Sequence, residues 1–359
     1  MDNASDDKIT FDDEGHCNYC NNALSKIGKV YFPNEEGKKR LDEMLATIKA
    51  DGSGKKYDCM MGISGGLDSS YLAYLGYTWG LRILAVHVDD GFDTAISQNN
   101  IKKLVAAAHI DLVTIKPDAK QFNNLTKAYM IAGVPNLAVP QDNILFAALY
   151  KYARENNLKY FLSGGNFALE CILQRGNTHA AYDLVNIKDI HRRFGTEPID
   201  KLLFISQYRV EINKRILGLR TILPLNYIDY NRDSAFKELN EFCGFEYYGR
   251  KHLENILTAF VQLVWFPKKF GVDKRTSHLS SMIVSGQMTR GEALIELSKP
   301  LIEDEAQMSE YIALIKDRLG ITDEEFKEIM TSSGKQHTEY RTDELYSAVI
   351  NILKRYEIL

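Results

Sequence analysis

One stretch near the start of the chain decides the fold, and it reads Met60-Met61-Gly62-Ile63-Ser64-Gly65-Gly66-Leu67-Asp68-Ser69-Ser70. An apolar run leads directly into Ser-Gly-Gly and then into an amphipathic segment, which predicts a strand, a tight turn and a helix. Such a turn directs several backbone N–H groups and a helix N-terminus at one point, where an anion is stabilised. The stretch therefore predicts a phosphate site.

The residue types in this loop suit a polyphosphate. Gly65 and Gly66 lack the Cβ atom that would keep phosphate oxygens away from the backbone. Ser64 and Ser69 add hydroxyl donors, and the Asp68 carboxylate suits a magnesium ion held against the phosphates. The alternative is an ordinary strand-to-helix turn with Asp68 as the N-cap. The complete SGGLDSS run, placed after the first strand, favours phosphate binding over that alternative.

The alternation of strand and helix continues beyond this loop. Short apolar segments follow amphipathic ones, which predicts βαβ units and a buried parallel sheet. The predicted strands are 57–64, 82–88, 111–116 and 159–163, and the predicted helices are 35–49, 68–79, 96–108, 120–132 and 142–155. We therefore expect an α/β fold with a doubly wound, mostly parallel sheet.

The chain divides into three predicted units. Residues 1–50 form a polar N-terminal segment with a cysteine pair and a helix, and residues 51–230 form the nucleotide-binding domain. From 231 the strand pattern is lost, and helices are predicted at 233–243 and at 323–330, the latter with Thr322 as N-cap. Residues 231–359 are accordingly predicted to be a helical domain for substrate or partner binding.

Two further loops fall at the predicted carboxyl ends of strands, where a doubly wound sheet binds its ligand. One contains Asp89 and Gly91, and the other contains Gly164 and Asn166. Each loop taken alone is equally consistent with a simple turn. Together with the first loop they outline one nucleotide site, with the backbone of 88–91 near the adenosine.

Composition excludes several classes of protein. The formal net charge is -4, from 44 basic and 48 acidic residues, so no basic face for nucleic acid is expected. No apolar run is long enough for a membrane span, and the acidic start lacks the features of a signal peptide. The five cysteines do not form a secreted disulfide framework, so a reduced, cytoplasmic setting is expected.

The SGGLDSS run resembles the PP-loop of the ATP-pyrophosphatases, which include asparagine synthetase, GMP synthetase, NAD synthetase and the tRNA-thiolating enzymes. The loop is neither GxxxxGK[ST] nor GxGxxG. The resemblance implies the adenine nucleotide α-hydrolase-like fold. It also implies that ATP and Mg²⁺ are used to release pyrophosphate and to transfer AMP to the substrate.

The chain as a whole resembles the N-acetyl sugar amidotransferases of surface-polysaccharide biosynthesis. The matching features are Ile9-Thr10-Phe11, Gly15-x-Cys17-x-x-Cys20, SGGLDSS, Gly164-Gly165-Asn166 with Glu170, Asn226-Tyr227-Ile228-Asp229-Tyr230, Lys251-His252-x-Glu254 and the KFGVDKR…HLSS…SGQMTR run from Lys269 to Arg290. The resemblance implies lipopolysaccharide or O-antigen synthesis. The implied reaction converts the acetamido group of a nucleotide-activated N-acetyl sugar into an acetamidino group.

This resemblance also suggests roles for site residues. The amide oxygen would attack the α-phosphorus of ATP, and ammonia would then displace AMP. Lys251 and Arg275 belong to a basic cluster with Lys268, Lys269 and Lys274, whose alternative reading is a solvated face. We expect Lys251 and Arg275 to stabilise phosphate charge. Glu170 and His252 are the candidates for handling the protons of ammonia, and the alternative for each is a structural polar residue.

The source of the ammonia is expected to be another protein. The chain has no N-terminal cysteine nucleophile, and none of its cysteines lies in a Gly-x-Cys-x-Gly elbow. The family resemblance implies a separate glutaminase subunit as partner, together with a cyclase-like barrel subunit.

Cys17 and Cys20 have the spacing of half a tetrahedral zinc site, which makes Zn²⁺ a further candidate. Two surface thiols are the equal alternative. In the resembling family a second Cys-x-x-Cys lies a few residues earlier, so we expect the sequence to be shortened at its N-terminus. Without that pair, Cys243 or a histidine is the remaining candidate ligand, whereas Cys59 and Cys171 read as core residues.

Two other functions are consistent with parts of the sequence. A tRNA-thiolating or tRNA-amidating PP-loop enzyme would also combine cysteine pairs with this loop, but the acidic net charge and the 269–290 run argue against it. A catalytically silent scaffold that binds nucleotide is the second, and the intact Asp68, Ser64 and Ser69 argue against that.

Overall fold

The computed structural model describes residues 1, 6, 8–174, 178–249 and 253–343. Its strands are β1 (Cys59–Gly62), β2 (Ile83–Val88), β3 (Asp111–Ile115), β4 (Tyr160–Leu162) and β5 (Arg220–Ile222). The helices before residue 200 are α1 (Asn18–Leu24), α2 (Glu35–Asp51), α3 (Leu67–Thr78), α4 (Ala95–Ala107), α5 (Ala119–Ala132), α6 (Val139–Glu155), α7 (Phe167–Glu170) and α8 (Leu184–Phe194).

The later helices are α9 (Gln207–Leu217), α10 (Arg232–Cys243), α11 (Ile256–Phe260), α12 (Phe266–Phe270), α13 (Arg275–Val284), α14 (Arg290–Ser298), α15 (Glu305–Leu319) and α16 (Asp323–Thr331). A π-helical turn, Val261–Trp265, joins α11 to α12, and 3-10 turns lie at Pro224–Tyr227 and His337–Glu339. The helical character predicted after 231 is confirmed over the described residues.

The sheet has the predicted doubly wound form. Its order is β3-β2-β1-β4-β5, and every pairing is parallel. The chain therefore builds outward from β1 to β3 and then crosses back to place β4 on the other side of β1. The strand order reverses between β1 and β4, and a doubly wound sheet has its ligand crevice at such a switch point, outside the carboxyl ends of the strands.

Helices cover both faces of the sheet because strand residues alternate between two apolar clusters. Met61 and Ala85 pack on the face covered by α2, α3, α4 and α10. Met60 and Leu84 pack on the opposite face, with residues of α6 and α9. Both methionines are fully buried, so β1 is the centre of the sandwich.

Residues from different predicted units pack together in the same apolar clusters. The cluster around Met61 also contains Cys17 from the N-terminal segment and Met282 from α13. Another cluster joins Phe122 of α5 to Trp265 and Ile315. The division at 50 and 230 stays a prediction, because these clusters show contact between the units rather than where each one ends.

The observed helix ends follow capping chemistry. The side chain of Thr322 accepts a hydrogen bond from Glu325 N, and Glu325 bonds back to the Thr322 backbone, so the predicted cap of α16 is a full capping box. Helix α6 begins at Val139, three residues before the predicted start. Pro140 explains the difference, since its fixed φ and missing N–H suit the first turn of a helix.

Candidate active site

The loop after β1 is held in its turn by its own serines and by α4. Gly65 has φ of +77°, and a Cβ there would lie 2.5 Å from Ser97 O. The Ser64 hydroxyl accepts a bond from Gly66 N (3.2 Å), and Ser64 N donates to the Ser69 hydroxyl (3.3 Å). The dihedral angle and the close approach of Ser97 both require glycine at 65, whereas the predicted approach of phosphate oxygens to this glycine stays a prediction.

Helix α3 begins at this loop without a side-chain cap. Its N-cap residue is Gly66, whereas the side chains of Asn34, Thr94 and Asn231 cap α2, α4 and α10. No N-cap side chain occupies this first turn, where the helix dipole adds positive potential that favours an anion. Asp68 is the second residue of the helix and is not its N-cap, so the alternative reading of this aspartate is wrong.

Two tyrosines from the C-terminal half hold the start of α3. The Tyr230 hydroxyl donates to Asp68 Oδ1, and the Tyr248 hydroxyl accepts from Leu67 N at 2.8 Å. Burial, and then the Asp68 charge, raises the pKa of Tyr230 well above its ordinary value. Tyr230 therefore stays protonated and fixes the direction of the Asp68 carboxylate.

The loop after β4 comes within contact distance of the first loop. A Cβ on Gly164 would lie 3.0 Å from Ser69 N and 3.1 Å from Ser69 Cα, so glycine permits the approach. Asn166 is the N-cap of α7, with its side chain accepting from Leu169 N at 2.9 Å. Glu170 at the end of α7 accepts from Asn166 N at 3.3 Å.

These loops surround a cavity of about 340 Å³ at the switch between β1 and β4. This volume lies within the ordinary range for small-molecule sites. The sequence-predicted residues that line the cavity are Ser64, Gly66, Asp68, Ser69, Gly164 and Glu170. The structure thus brings most of the predicted phosphate-loop residues and Glu170 to one space.

Two carboxylates enter this cavity beside the phosphate loop. Glu254 lines it together with Asp68, and Glu254 Oε1 accepts a bond from the Ser64 hydroxyl at 3.3 Å. A Mg²⁺ ion bound with a nucleotide uses one or two carboxylates and completes its octahedron with phosphate oxygens and water. The donor set fits such an ion, with Asp68 as predicted and Glu254 added by the structure.

The end of β2 contributes a buried polar cluster. His87 Nδ1 lies 2.8 Å from Ile63 O, and His87 Nε2 lies 2.9 Å from Asp93 Oδ2. Burial lowers the pKa of His87, but its bond to Asp93 outweighs that effect, and the net shift is upward. His87 and Asp93 both line the cavity. The imidazole therefore joins the backbone of Ile63, directly before the phosphate loop, to the Asp93 carboxylate.

Asp89 and Gly91 lie away from the cavity lining, unlike their neighbour Val88. The Asp89 carboxylate pairs with Lys116 at 3.0 Å. A Cβ on Gly91 would lie 2.2 Å from Arg318 Nη1, so this glycine accommodates the arginine. Of residues 88–91, Val88 alone lines the cavity. The predicted contact of this segment with adenosine, and the nucleotide-binding roles of Asp89 and Gly91, stay predictions.

The basic cluster predicted from 251–275 does not act as one patch. Arg275 forms an ion pair with Asp273 at 2.7 Å and donates to Glu296 O and Lys299 O at the end of α14. Lys269 donates to Ser332 O at 2.8 Å, beyond the end of α16. Lys251 and His252 lie outside the described residues. The structure places Arg275 beside a second cavity and not in the first.

The cysteine pair opens α1. Cys17 is the N-cap of this helix, and its Sγ lies 3.3 Å from Cys20 Sγ. Within the described part of the chain, no cluster of three or more His, Cys, Asp or Glu side chains is arranged to hold a metal ion. Zinc on Cys17 and Cys20 stays a prediction. Cys59 is fully buried as predicted, and Cys171 packs against the same core.

Five residues of the site were given no role from the sequence: His87, Asp93, Tyr230, Tyr248 and Glu254. The position of His87 and Asp93 at the end of a predicted strand was a usable signal. Tyr230, Tyr248 and Glu254 contact the loop across separations of 162 to 190 residues. Tyr230 and Glu254 lie in motifs of the family resemblance, but those motifs did not show which residues contact the loop.

Comparison with known proteins finds a similarity in the C-terminal part. Residues 254–354 match the family model described as "LPS biosynthesis protein WbpG-like, C-terminal domain". The comparison with curated proteins gives no match. No described helix has the length and apolar character needed to cross a membrane.

The solved structures that are similar to the chain include two synthetases. NMN synthetase from Francisella tularensis is 15% identical, with 79% of this chain and 96% of that chain covered and a TM-score of 0.33. NH3-dependent NAD synthetase from Campylobacter jejuni, in complex with nitrate, is 16% identical, with 83% and 98% covered and a TM-score of 0.30. At these values the fold assignment rests on the parallel sheet itself. The SGGLDSS loop lies at the switch point of this parallel sheet, and residues 254–354 are similar to the C-terminal domain of WbpG-like LPS biosynthesis proteins.

Proposed function

We propose that this enzyme adenylylates the acetamido oxygen of a nucleotide-activated N-acetyl sugar and then replaces that oxygen with nitrogen from ammonia. The products are an acetamidino sugar, AMP and pyrophosphate. The observation that carries the proposal is the N-terminus of α3, which has no side-chain N-cap and opens beside Ser64 and Ser69 into a cavity that Asp68 and Glu254 also line. This arrangement suits a Mg²⁺-bound polyphosphate.

The phosphate loop binds the β- and γ-phosphates of ATP in this proposal. The first-turn N–H groups of α3 and the hydroxyls of Ser64 and Ser69 stabilise the negative charge that grows on pyrophosphate as it leaves. Asp68 and Glu254 hold Mg²⁺, which when bound neutralises charge on the phosphate oxygens. The Tyr230 hydroxyl donates a hydrogen bond to Asp68 Oδ1 and so fixes the orientation of this carboxylate.

The reaction divides into two displacements. In the first, the amide oxygen forms a bond to the α-phosphorus, and the bond from that phosphorus to pyrophosphate breaks. In the second, ammonia adds to the imidate carbon and gives up a proton, the C–O bond breaks, and AMP departs with the former amide oxygen. A neutral amide is a poor electrophile, and adenylylation converts its oxygen into a phosphate leaving group. The protein supplies position and charge stabilisation.

Glu170 is the group that we propose as acceptor of the ammonia proton. It lies at the end of α7, directly after the loop that contacts Ser69, and it lines the nucleotide cavity. A carboxylate within hydrogen-bond reach of the incoming nitrogen is a competent base. His252 stays a second candidate from the sequence.

Ammonia is proposed to come from a glutaminase subunit, with a cyclase-like barrel subunit as a further partner. The test compares glutamine with ammonium as nitrogen source for the purified chain. Activity with ammonium alone is expected, and glutamine should become a substrate only when the glutaminase is added. Equal use of glutamine by the isolated chain would contradict this part of the proposal.

The reaction itself is tested by incubating the chain with ATP, Mg²⁺ and ammonium in the presence of single nucleotide-linked N-acetyl sugars. Mass spectrometry should show a product lighter by the difference between O and NH, formed in step with AMP. Asp68→Asn is the matched inactive control, since it keeps the side-chain shape but loses the metal-binding charge. ADP as the nucleotide product, or AMP without any change in the sugar, would refute the proposal.

A further inference from the structure

A second cavity adjoins the nucleotide cavity. Its volume is about 360 Å³, and it lies against the first turn of α13 and the end of α14. Leu169, Glu170 and Arg232 line both cavities. The two spaces therefore meet at one junction, with the carboxylate of Glu170 on the boundary.

Two ion pairs line the second cavity. Asp273 is paired with Arg275, and Glu296 is paired with Lys299. Lys274 lines the same cavity, but no hydrogen bond or ion pair joins its ammonium group to another described residue. Burial lowers the pKa of Lys274, and the charge of Glu170 partly offsets that effect. A desolvated ammonium without a bonded counter-ion is unfavourable, and an anionic ligand group would relieve that cost.

The backbone adds positive potential at the same place. Lys274 is the N-cap of α13 and supplies no side-chain acceptor to it. Arg275, Ser277 and His278 of its first turn line the cavity with Lys274. The dipole of this ten-residue helix therefore favours negative charge near the ammonium group.

We propose that the second cavity is the acceptor site, and that Lys274 binds a phosphate group of the acceptor's nucleoside diphosphate. The sugar then extends toward the junction at Glu170, where its acetamido oxygen meets the α-phosphate of ATP. This inference rests on the proposed function for the identity of the acceptor. It adds a place for that acceptor, a residue that selects for its charge, and a reason why ATP and acceptor bind together.

The test uses UDP, GDP and dTDP as separate probes of the full chain, by isothermal titration calorimetry in the absence and presence of saturating ATP with Mg²⁺. At least one probe should still bind when ATP is present, because the two ligands occupy different cavities. In Lys274→Gln that probe should bind at least about tenfold more weakly, which corresponds to about 1.4 kcal/mol. Lys274→Arg, which keeps the charge, should retain most of the affinity.

Lys268→Gln is the matched control, since it removes the same charge from an exposed residue six positions earlier and should leave probe binding unchanged. ATP binding by each variant reports whether the protein is folded and should match the wild type. The inference is wrong if none of the three probes binds, if ATP displaces the probe, or if Lys274→Gln binds it as the wild type does. Failure of the proposed reaction looks different, because no AMP forms although the probe binds as described.

Discussion

A single hydroxyl group orients Asp68, the residue that we propose as a magnesium ligand. Tyr230 is buried and donates to Asp68, and it also stacks on Tyr71 with ring centroids 5.6 Å apart. Tyr71 donates its own hydroxyl to Glu238, at 3.1 Å. The two tyrosines are chemically alike, but only one of them contacts the carboxylate of the phosphate loop.

Tyr230→Phe should therefore raise the Mg²⁺ concentration needed for half-maximal AMP formation by roughly ten- to a hundredfold, the usual effect of removing a group that orients a metal ligand. Tyr71→Phe removes an equivalent hydroxyl from the same stack and should leave that concentration unchanged. The measurement is a Mg²⁺ titration of initial rates. An equal shift in both variants would show that general packing, and not the bond to Asp68, explains the effect.

The glycine at 65 combines two requirements that can be separated. Gly65 and Gly54 have nearly the same dihedral angle, φ of +77° and +75°. A Cβ on Gly54 would meet nothing within 4 Å, whereas a Cβ on Gly65 would lie 2.5 Å from a backbone oxygen of α4. An alanine at either position costs about 1–2 kcal/mol from the left-handed backbone.

Gly65→Ala should lower the free energy of unfolding by more than Gly54→Ala, because only the former also displaces α4. It should weaken ATP binding as well, since the displaced loop no longer presents its N–H groups together. Urea unfolding and calorimetric titration with ATP measure the two effects. Similar stability and unchanged ATP affinity in both variants would contradict the close packing of this loop.

Adjacent residues at the start of α13 have different surroundings. Arg275 is bonded to Asp273 and to carbonyl groups at the end of α14, whereas the neighbouring Lys274 ammonium has no such partner among the described residues. Successive side chains on a helix point about 100° apart. Arg275 therefore bonds to the end of α14, whereas Lys274 lines the second cavity as a cation.

Arg275→Gln should destabilise the protein by ~1–3 kcal/mol, the effect of breaking hydrogen bonds to a largely buried charge. The ATP affinity of the folded fraction should be unchanged. Thermal unfolding and ATP titration test this, with the exposed Lys299→Gln at the same helix end as the comparison. A large loss of ATP affinity at full stability would instead support the phosphate role predicted from the sequence.

Buried acidic groups give the whole molecule a pH-dependent stability. Burial raises the pKa of Asp90 to about 7, and Asp90 Oδ2 has no hydrogen-bond partner among the described residues. The folded protein therefore keeps a proton that the unfolded chain has lost above the ordinary pKa of 3.8. The free energy of unfolding falls as the pH rises between these two values. One pKa unit corresponds to about 1.4 kcal/mol.

Asp90→Asn removes this titration and should reduce the loss of stability between about pH 4 and pH 7. His87, whose pKa is raised by Asp93, also loses stabilisation as the pH rises and is expected to account for the part that remains. Urea unfolding of wild type and variant at several pH values provides the comparison. Parallel pH profiles would show that Asp90 is already ionised in the folded protein.

Much of the architecture was predictable because it depends on local patterns. The apolar runs at β1 to β4, the Ser-Gly-Gly turn and the capped helices lie where periodicity and capping residues predict them. The residues that complete the site were not predictable in this way. Tyr230, Tyr248 and Glu254 contact the loop from 162 to 190 residues away, and the motifs that contain Tyr230 and Glu254 do not indicate which distant residues they contact.

The position of a residue at a strand end also proved insufficient to assign its role. Val88 and Asp89 follow each other at the end of β2, but Val88 lines the cavity while Asp89 turns outward to Lys116. Ligands of doubly wound sheets bind at the carboxyl ends of the strands, which predicts where a site lies. Because alternate side chains of a strand point to opposite sides, this position does not predict which residues there contact the ligand. Side-chain direction requires the folded structure.

The most direct test follows the amide oxygen of the acceptor. An acceptor sugar whose acetamido group carries a heavy oxygen isotope is incubated with the enzyme, ATP, Mg²⁺ and ammonium, and the nucleotide product is analysed by phosphorus NMR and mass spectrometry. If the loop from Ser64 to Ser69 holds the departing pyrophosphate, the label must appear in the phosphate of AMP. Unlabelled AMP, or ADP with the label left in the sugar, would contradict the account.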